Sequence, residues 1–284
     1  MVMNDNKFGG SWTELKIEIL ESYVKQYLTV FKNQPHQKLL YFDGFAGSGD
    51  IEMGSINEID RQVIEGAAIR ILKIDKPRTF DMYYFVEKKK ILAKSLENKI
   101  KETFPNKKFY VQAKDCNQKL KDLAKFLRSA KGKLYKVLGF IDPKGMQLEW
   151  SALENLRGLP IDLWVLNPTS GTNRILVKNG EIDESWLNRL ELFLGMPREE
   201  IKDYFYSKRP TLFGEIDFVK ENNPINKLHS LYASRIAGNI FKYVSNPKVL
   251  NNSSGSPLFH FFMATNSEIA LRIANSVVNP KLGF

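Results

Sequence analysis

Residues 38 to 50, Lys-Leu-Leu-Tyr-Phe-Asp-Gly-Phe-Ala-Gly-Ser-Gly-Asp, constrain the fold of this chain more than any other stretch. Leu39 to Phe42 form a short apolar run, which is typical of a buried strand in a parallel sheet when turn residues bound it. Asp43 ends the run. Glycines as dense as those that follow indicate a backbone that needs positive φ or lies directly against a ligand. They are Gly44, Gly47 and Gly49.

The glycine-rich loop admits two interpretations, a plain turn or a site for a nucleotide-type cofactor, and the acid at the strand end favours the second. It is not the dinucleotide fingerprint, in which G-x-G-x-x-G leads directly into a helix and an acid follows about 20 residues later. Here the glycine order is inverted, and the next acid at a strand end is Glu87. It is not a P-loop, because no Gly-Lys-Ser/Thr follows.

The composition is that of an ordinary globular protein, with 284 residues, 43% hydrophobic and 26% charged. This length allows one domain with additions or two small domains. No apolar run approaches the roughly 18 residues of a membrane span, and the N-terminus has no signal-peptide apolar region. The single cysteine, Cys116, excludes an internal disulfide and a cysteine-rich zinc site. We therefore expect a cytoplasmic protein.

The net charge of +10 and the isoelectric point near 9.4 favour a polyanionic partner, of which nucleic acid is the commonest. The alternative is that the lysines form solvated helix faces, since they are spread widely along the chain.

After an amphipathic helix at 11–32, the chain alternates between predicted strands and helices. The first helix is favoured as a packing helix over the sheet, with a lid over a cofactor as the alternative. The alternation predicts an α/β fold, with a mostly parallel, Rossmann-like sheet and helices on both faces. The predicted strands are 39–42, 80–86, 108–112, 135–141 and 161–166, and the predicted helices between them are 61–74, 88–103, 117–130 and 151–157, with 50–58 irregular.

The rhythm breaks after residue 170, where helical pieces separated by prolines predict a helical insertion or cap over the binding edge. A last strand at 258–264 and a last helix at 266–278 follow. The predicted organisation is therefore an N-terminal helical segment (1–36), a cofactor-binding core (37–170), a helical insertion or cap (171–250) and a C-terminal strand and helix that complete the core (251–284).

Acidic residues close four consecutive predicted strands: Asp43, Glu87, Asp115 and Asp142. Each could be a helix N-cap, where Asp is common. Ligands of parallel α/β sheets bind beyond the carboxyl ends of the strands, so four acids at that edge favour a shared ligand instead.

The chain Asp-Gly-Phe-Ala-Gly-Ser-Gly at 43–49 resembles the first motif of class I S-adenosylmethionine (SAM) methyltransferases. Further segments resemble the three-Cys-motif partner (TcmP) family, a predicted SAM-dependent methyltransferase group that co-occurs with a three-cysteine-motif protein. These segments are Trp12, Lys16 and Tyr23, then Tyr-Phe-Asp-Gly-Phe-Ala-Gly-Ser-Gly at 41–49, Glu-Gly-Ala-Ala at 65–68, Phe-Ile-Asp-Pro-Lys-Gly at 140–145 and Pro-Leu-Phe-His-Phe-Phe-Met-Ala-Thr at 257–265.

The resemblance implies a class I methyltransferase sheet with SAM as cofactor and a role for each motif residue. Glu87 would accept both ribose hydroxyls, Asp115 would accept the adenine amine, and Cys116 would lie against the adenine ring. Asp142 and Pro143 would face the transferred methyl group. The methionine part of SAM would be held by Asp43, Gly44, Phe45, Ala46, Gly47 and Gly49.

The sequence departs from the family at Lys144, where an aromatic residue usually follows the proline. Asp142 and Pro143 resemble the first half of the Asp/Asn-Pro-Pro-Tyr motif of amino-methylating DNA enzymes, in which side-chain and backbone oxygens accept the amine hydrogens. An amine acceptor is therefore favoured. Lys144 cannot stack on a base, and its charge is unfavourable beside a sulfonium. It could instead bind a phosphate or carboxylate of the substrate. Arg174 could also meet substrate, or it could be a solvated loop arginine.

Two classes of function follow from these residues. The first is a SAM-dependent methyltransferase acting on nucleic acid. The second is a non-catalytic scaffold of the same fold, a partner of a three-cysteine-motif protein. Cys116 lies at the wrong motif for a carbon-methylating nucleophile. The three histidines lack metal-ligand spacing, and His260 is predicted to be a core histidine.

Overall fold

An eight-stranded sheet forms the centre of the chain, and helices cover both of its faces. The computed structural model describes residues 11–53, 62–210 and 216–280. The strands are β1 (Lys38–Asp43), β2 (Asp50–Met53), β3 (Gln62–Glu65), β4 (Met82–Val86), β5 (Phe109–Gln112), β6 (Tyr135–Ile141), β7 (Ile161–Asn167), β8 (Tyr206–Pro210), β9 (Ile216–Lys220), β10 (Tyr243–Val244), β11 (Lys248–Asn251) and β12 (Pro257–Thr265). The helices are α1 (Ser11–Val30), α2 (Ala67–Leu72), α3 (Lys90–Thr103), α4 (Cys116–Arg128), α5 (Trp150–Glu154), α6 (Thr169–Ile175), α7 (Glu184–Leu194), α8 (Arg198–Phe205), α9 (Pro224–Asn239) and α10 (Glu268–Val278).

The strand order of the main sheet is β10-β12-β7-β6-β1-β4-β5, with β11 also paired to β12. Five adjacent strands, β5, β4, β1, β6 and β7, run parallel to one another. Strand β12 is antiparallel to β7. In chain order the parallel strands follow the Rossmann-like 3-2-1-4-5 arrangement, so the predicted fold class is confirmed. The order reverses between β1 and β6, which is where such sheets bind their ligands.

Strand β1 is buried on both faces because its side chains alternate between two apolar cores. Leu39 and Tyr41 pack with α1, α2, α3 and α10 on one face. Leu40 and Phe42 pack with α4, α5, α7, α8 and α9 on the other. The apolar run that the sequence shows there is therefore a central strand. In the described part of the chain, no helix has the length and apolar character needed to cross a membrane.

Two hairpins outside the main sheet correct the predicted elements. Residues 62–65, predicted as the start of a helix, pair with 50–53, predicted as irregular, and α2 begins only at Ala67. Gly66 separates the two conformations: it is extended, and its N–H donates to the Gly49 carbonyl at 2.8 Å. The rest of the predicted irregular segment, residues 54–58, lies outside the described residues, as does residue 61 of the predicted helix.

The section from 171 to 250 contains strands as well as the predicted helices α7, α8 and α9. Strands β8 and β9 form a second hairpin, and β10 and β11 pair with β12 in the main sheet. The predicted helices are therefore present in this range, together with strands that the sequence did not predict. The polar sequence of β8, Tyr-Ser-Lys-Arg-Pro, gave no apolar signal for a strand.

Candidate functional site

A cavity of about 860 Å³ opens at the carboxyl edge of the sheet, within the usual size of small-molecule sites. The four acids that close the predicted strands all line it. Asp43 is the last residue of β1, Glu87 directly follows β4, Asp115 precedes α4, and Asp142 directly follows β6. The cavity is also lined by the other predicted site residues except Arg174: Gly44, Phe45, Ala46, Gly47, Gly49, Cys116, Pro143 and Lys144.

The glycine-rich loop is fixed to the neighbouring strands on both sides. The N–H of Gly44 donates to the Phe140 carbonyl, and the N–H of Ala46 donates to the Val86 carbonyl, both at 2.9 Å. A Cβ at Gly44 would lie 2.6 Å from the Cys116 sulfur and from Ile141, so a side chain there would force its neighbours to move.

Asp43 forms the floor of the cavity and is 1% exposed. Burial raises the pKa of Asp43 to about 8, the Phe45 N–H that donates to it at 3.1 Å lowers the pKa, and Asp142 raises it further. A buried carboxyl with this pKa gains most from a cationic ligand, because the added charge favours ionisation. The position therefore fits a cationic group better than a neutral one.

Glu87 and Asp115 are the next two acids of the lining. Both carboxylates accept hydrogen bonds from backbone N–H groups, and both residues also line the cavity. Glu87 accepts from the Gly47 N–H at 3.2 Å and from the Lys89 N–H at 2.8 Å. Asp115 is the N-cap of α4, as the capping alternative predicts, and accepts from the Asn117 N–H at 2.9 Å. Each carboxylate offers about four acceptor sites, so capacity for hydroxyl or amine donors is left over.

Asp142 lies in the loop that follows β6 and forms an ion pair with Lys16 of α1. The Lys16 ammonium donates to Oδ2 of Asp142. Farther along, the loop is tied to α4 by Asn117, whose amide donates to the Gln147 carbonyl and whose carbonyl oxygen accepts from the Glu149 N–H, both at 2.9 Å. Helices from both faces of the sheet thus fix this loop.

Cationic side chains surround the acidic floor. Lys144 is exposed and lies two residues after Asp142 in the sequence. Arg189 of α7 also lines the cavity. Arg174, at the end of α6, does not line this cavity, and its role stays a prediction. A floor of acids with a rim of cations suits a ligand that has a cationic centre and, beyond it, a polyanionic part. Besides Lys16, the remaining cations of the lining are Lys88, Lys89 and Lys114.

Cys116 and the histidines behave as buried groups. Burial raises the pKa of the Cys116 thiol well above its ordinary value, and Asp115 adds to the effect, so the thiol stays protonated. His260 is buried, as predicted, stacks on His229 with 4.4 Å between ring centroids, and hydrogen-bonds Thr169 at 2.9 Å. Burial lowers the pKa of His229 to about 3 and of His260 to about 4. Among the described residues, no group of three or more His, Cys, Asp or Glu side chains could hold a metal ion.

The residues by which α1 lines the cavity were not among the site residues predicted from the sequence. Trp12, Thr13 and Lys16 line the cavity from its first turns, while Tyr23 and Tyr27 farther along pack in the core. The helix therefore packs over the sheet, as the favoured interpretation predicts, and its first turns also line the cavity. The available signal was a charge within the apolar stripe, since Lys16 falls four residues after Trp12 and seven before Tyr23.

The sequence and the structure were compared with those of known proteins. No protein-family model matches the sequence. No curated protein matches it either. Among solved structures, Trm1 from Pyrococcus horikoshii in complex with S-adenosyl-L-methionine is similar over 98% of this chain, with 11% identity and a TM-score of 0.45. This chain spans 61% of that one. LPL1258 from Legionella pneumophila, labelled DUF519, is similar over 92% of this chain and 99% of its own, with 13% identity and a TM-score of 0.44.

Proposed function

We propose that this chain is a SAM-dependent methyltransferase that acts on nucleic acid, with an amine as the favoured acceptor. The observation that carries the proposal is the convergence of Asp43, Glu87, Asp115 and Asp142 on one cavity beside a glycine loop without side chains. A cationic sulfonium cofactor with an amino acid part, a ribose and an adenine requires acceptors of this kind at successive positions.

The cofactor roles proposed for these residues follow the strand order. Asp43 binds the methionine ammonium, because a buried carboxyl with a pKa near 8 gains a counter-ion there. The backbone at Gly44 lets the methionine part lie close to the loop. Glu87 accepts from the ribose hydroxyls, Asp115 from the adenine amine, and Cys116 packs against the ring. Phe45, Ala46, Gly47 and Gly49 complete the cradle.

When bound, SAM supplies an activated methyl group, so the protein needs to orient and desolvate the acceptor. Asp142 and the Pro143 carbonyl accept the hydrogens of the acceptor amine and keep its lone pair directed at the methyl group. Lys144, Arg189 and the lysines at the rim bind phosphates of the nucleic acid. Arg174 is proposed to bind substrate outside this cavity.

Each section of the chain predicted from the sequence has a role in the proposed enzyme. A core of 37–170 binds the cofactor, 1–36 closes the site through Trp12 and Lys16, and 171–250 covers the binding edge, to which it contributes Arg189. Residues 251–284 complete the core.

A second candidate is a non-catalytic member of the TcmP family that keeps the fold as the partner of a three-cysteine-motif protein. Lys144 favours this alternative, because a lysine stands where the amine-methylating motif has an aromatic ring to stack the base.

Three measurements test these candidates. Titration calorimetry with SAM tests the cofactor site, and absence of heat together with no thermal shift rejects the cofactor in both. Transfer of a tritiated methyl group to DNA, RNA and cell protein then tests catalysis, with Asp142→Ala as the inactive variant that still binds SAM. Binding without transfer to any acceptor favours the scaffold, and gel filtration with the three-cysteine-motif protein tests that partnership directly.

A further inference from the structure

Lys16 is a buried lysine on the side of α1 that lines the cavity. It is 4% exposed, although lysine is almost never fully buried without a partner. Its ammonium lies 5.1 Å from the centre of the Trp12 ring, which itself packs on Phe259 with 4.8 Å between ring centroids. Removing an ammonium from water is costly, so the contact that compensates for it identifies the role of the side chain.

The compensating contact is the ion pair with Asp142, and it involves one oxygen of the carboxylate. Lys16 donates to Oδ2, while Oδ1 has no hydrogen-bond partner among the described residues. The Asp142 side chain is 25% exposed and faces the cavity, whereas the Lys16 side chain is 6% exposed. The carboxylate is thus held from the protein side and open on the cavity side.

A second polar group of α1 points the same way. Thr13, one turn before Lys16, also lines the cavity, and its hydroxyl is buried and has no hydrogen-bond partner within the described ranges. The first turns of α1 therefore place two buried polar side chains, Thr13 and Lys16, along the lining of the cavity.

Charge explains why an ammonium is needed at this point. Asp43, Glu87 and Asp142 share the cavity, and Asp142 and Glu87 each oppose ionisation of Asp43, while Lys16 favours it. Like charges at one site discourage one another from ionising, and a neighbouring cation offsets this effect. Lys16 therefore brings a positive charge to this group of acids and is held against one oxygen of Asp142.

We infer that Lys16 is a positioning residue for methyl transfer, which binds Asp142 by one carboxylate oxygen and directs the other at the acceptor amine. The inference rests on the proposed function. The acceptor amine donates a hydrogen to Oδ1, its lone pair attacks the methyl carbon, and the bond between that carbon and the sulfonium sulfur breaks with its electrons left on sulfur. The proton that the amine loses goes to Asp142 or to water. Lys16 acts through Asp142 throughout.

The test compares three variants of α1 in the whole protein. Lys16→Met removes the charge at similar volume, Lys16→Arg keeps it, and Lys25→Met is the matched control at an exposed lysine of the same helix. With the nucleic acid that accepts methyl groups, Lys16→Met should lower kcat about 30-fold and leave KM within about threefold, because the acceptor still binds but is misdirected. Lys16→Arg should recover kcat to within about fivefold of the wild type, and Lys25→Met should leave it unchanged.

A second measurement needs neither cofactor nor activity. In the unliganded protein, Asp142→Ala should lower Tm by roughly 6 °C because it leaves a buried ammonium unpaired, and adding Lys16→Met should restore part of that loss. Wild-type kcat in Lys16→Met, or a Tm of the double variant reduced by the sum of both changes, would overturn the inference. Absence of SAM binding in the wild type rejects the proposed function instead, and the melting comparison still decides whether the pair exists.

Discussion

Two aspartates lie at opposite edges of the same sheet, Asp43 buried and Asp162 partly buried, and their surroundings differ. Asp162, near the start of β7 at the amino edge, accepts hydrogen bonds from the hydroxyls of Tyr23, at 3.2 Å, and Thr265. Asp43, at the carboxyl edge, lines the cavity. Among the described residues, its carboxyl accepts one hydrogen bond, from the Phe45 N–H. Burial raises the pKa of both carboxyls. We expect the acid that side chains satisfy to serve the fold, and the one left undersatisfied beside a cavity to serve a ligand.

The same helix reaches both edges. Lys16 of α1 contacts Asp142 at the cavity, and Tyr23, two turns later, contacts Asp162. Seven residues of helix span about 10 Å, so one element both anchors itself to the core and completes the site. If this comparison is right, changes at Asp162 should alter stability and spare cofactor binding, whereas changes around Asp43 should do the reverse.

The largest expected effect is at the amino edge. Asp162→Ala should lower the free energy of unfolding by about 3 kcal/mol, because it leaves the buried hydroxyls of Tyr23 and Thr265 unpaired and opens a small cavity. Thr265 also accepts the N–H of Ser267 at the start of α10, so the loss extends to that helix. Urea unfolding measures it. Unchanged stability, or a large loss of SAM affinity in the folded variant, would break the comparison.

Next in size is the matching change at the carboxyl edge. Asp43→Asn should weaken SAM binding about 100-fold, which is about 2.7 kcal/mol, by removing the proposed counter-ion of the methionine ammonium. The folded protein should be no less stable at neutral pH, since a buried carboxyl that resists ionisation is replaced by a neutral side chain. Calorimetry and urea unfolding of one preparation give both values. Unchanged SAM affinity would mean that the cavity floor has been assigned to the wrong ligand group.

A smaller effect is expected from the loop backbone. Gly44→Ala should weaken SAM binding about 20-fold, because the new Cβ would lie 2.6 Å from the Cys116 sulfur and from Ile141 and would displace the loop. Gly171→Ala is the control, since a Cβ at Gly171 meets no atom within 4 Å. Equal SAM affinities in these two variants would show that the close packing at Gly44 has no part in binding.

The smallest effect is the pH dependence of the carboxyl edge. With the pKa of Asp43 at about 8, SAM affinity should rise about tenfold between pH 7 and pH 9 as the carboxylate forms, and Asp43→Asn should lose this dependence. The Asp43 carboxyl binds its proton more tightly in the folded protein than in the unfolded chain. Its contribution to stability is therefore complete below about pH 4 and falls as the pH rises to about 8. Calorimetric titrations with SAM at several pH values test the rise in affinity. Urea unfolding at the same pH values tests the fall in stability.

The sequence was sufficient for the elements whose local signals agree. The apolar run of β1, the alternation through β7 and the acids at Asp43, Glu87, Asp115 and Asp142 predict the sheet and its binding edge. It failed where local signals were weak or conflicting. Residues 62–65 follow a helical pattern with α2, but pairing with β2 outweighs that pattern, and β8 is too polar to read as a strand.

By itself, the sequence determined that acids and bare backbone follow successive strands, because parallel strands bring their carboxyl ends to one edge. Only the tertiary structure decided which buried charges meet. Lys16 and Asp142 are 126 residues apart, and Tyr23 and Asp162 are 139 apart. The physical reason is that periodicity fixes which face of α1 is buried, whereas the partner of each polar group on that face depends on how the helix lies across the sheet.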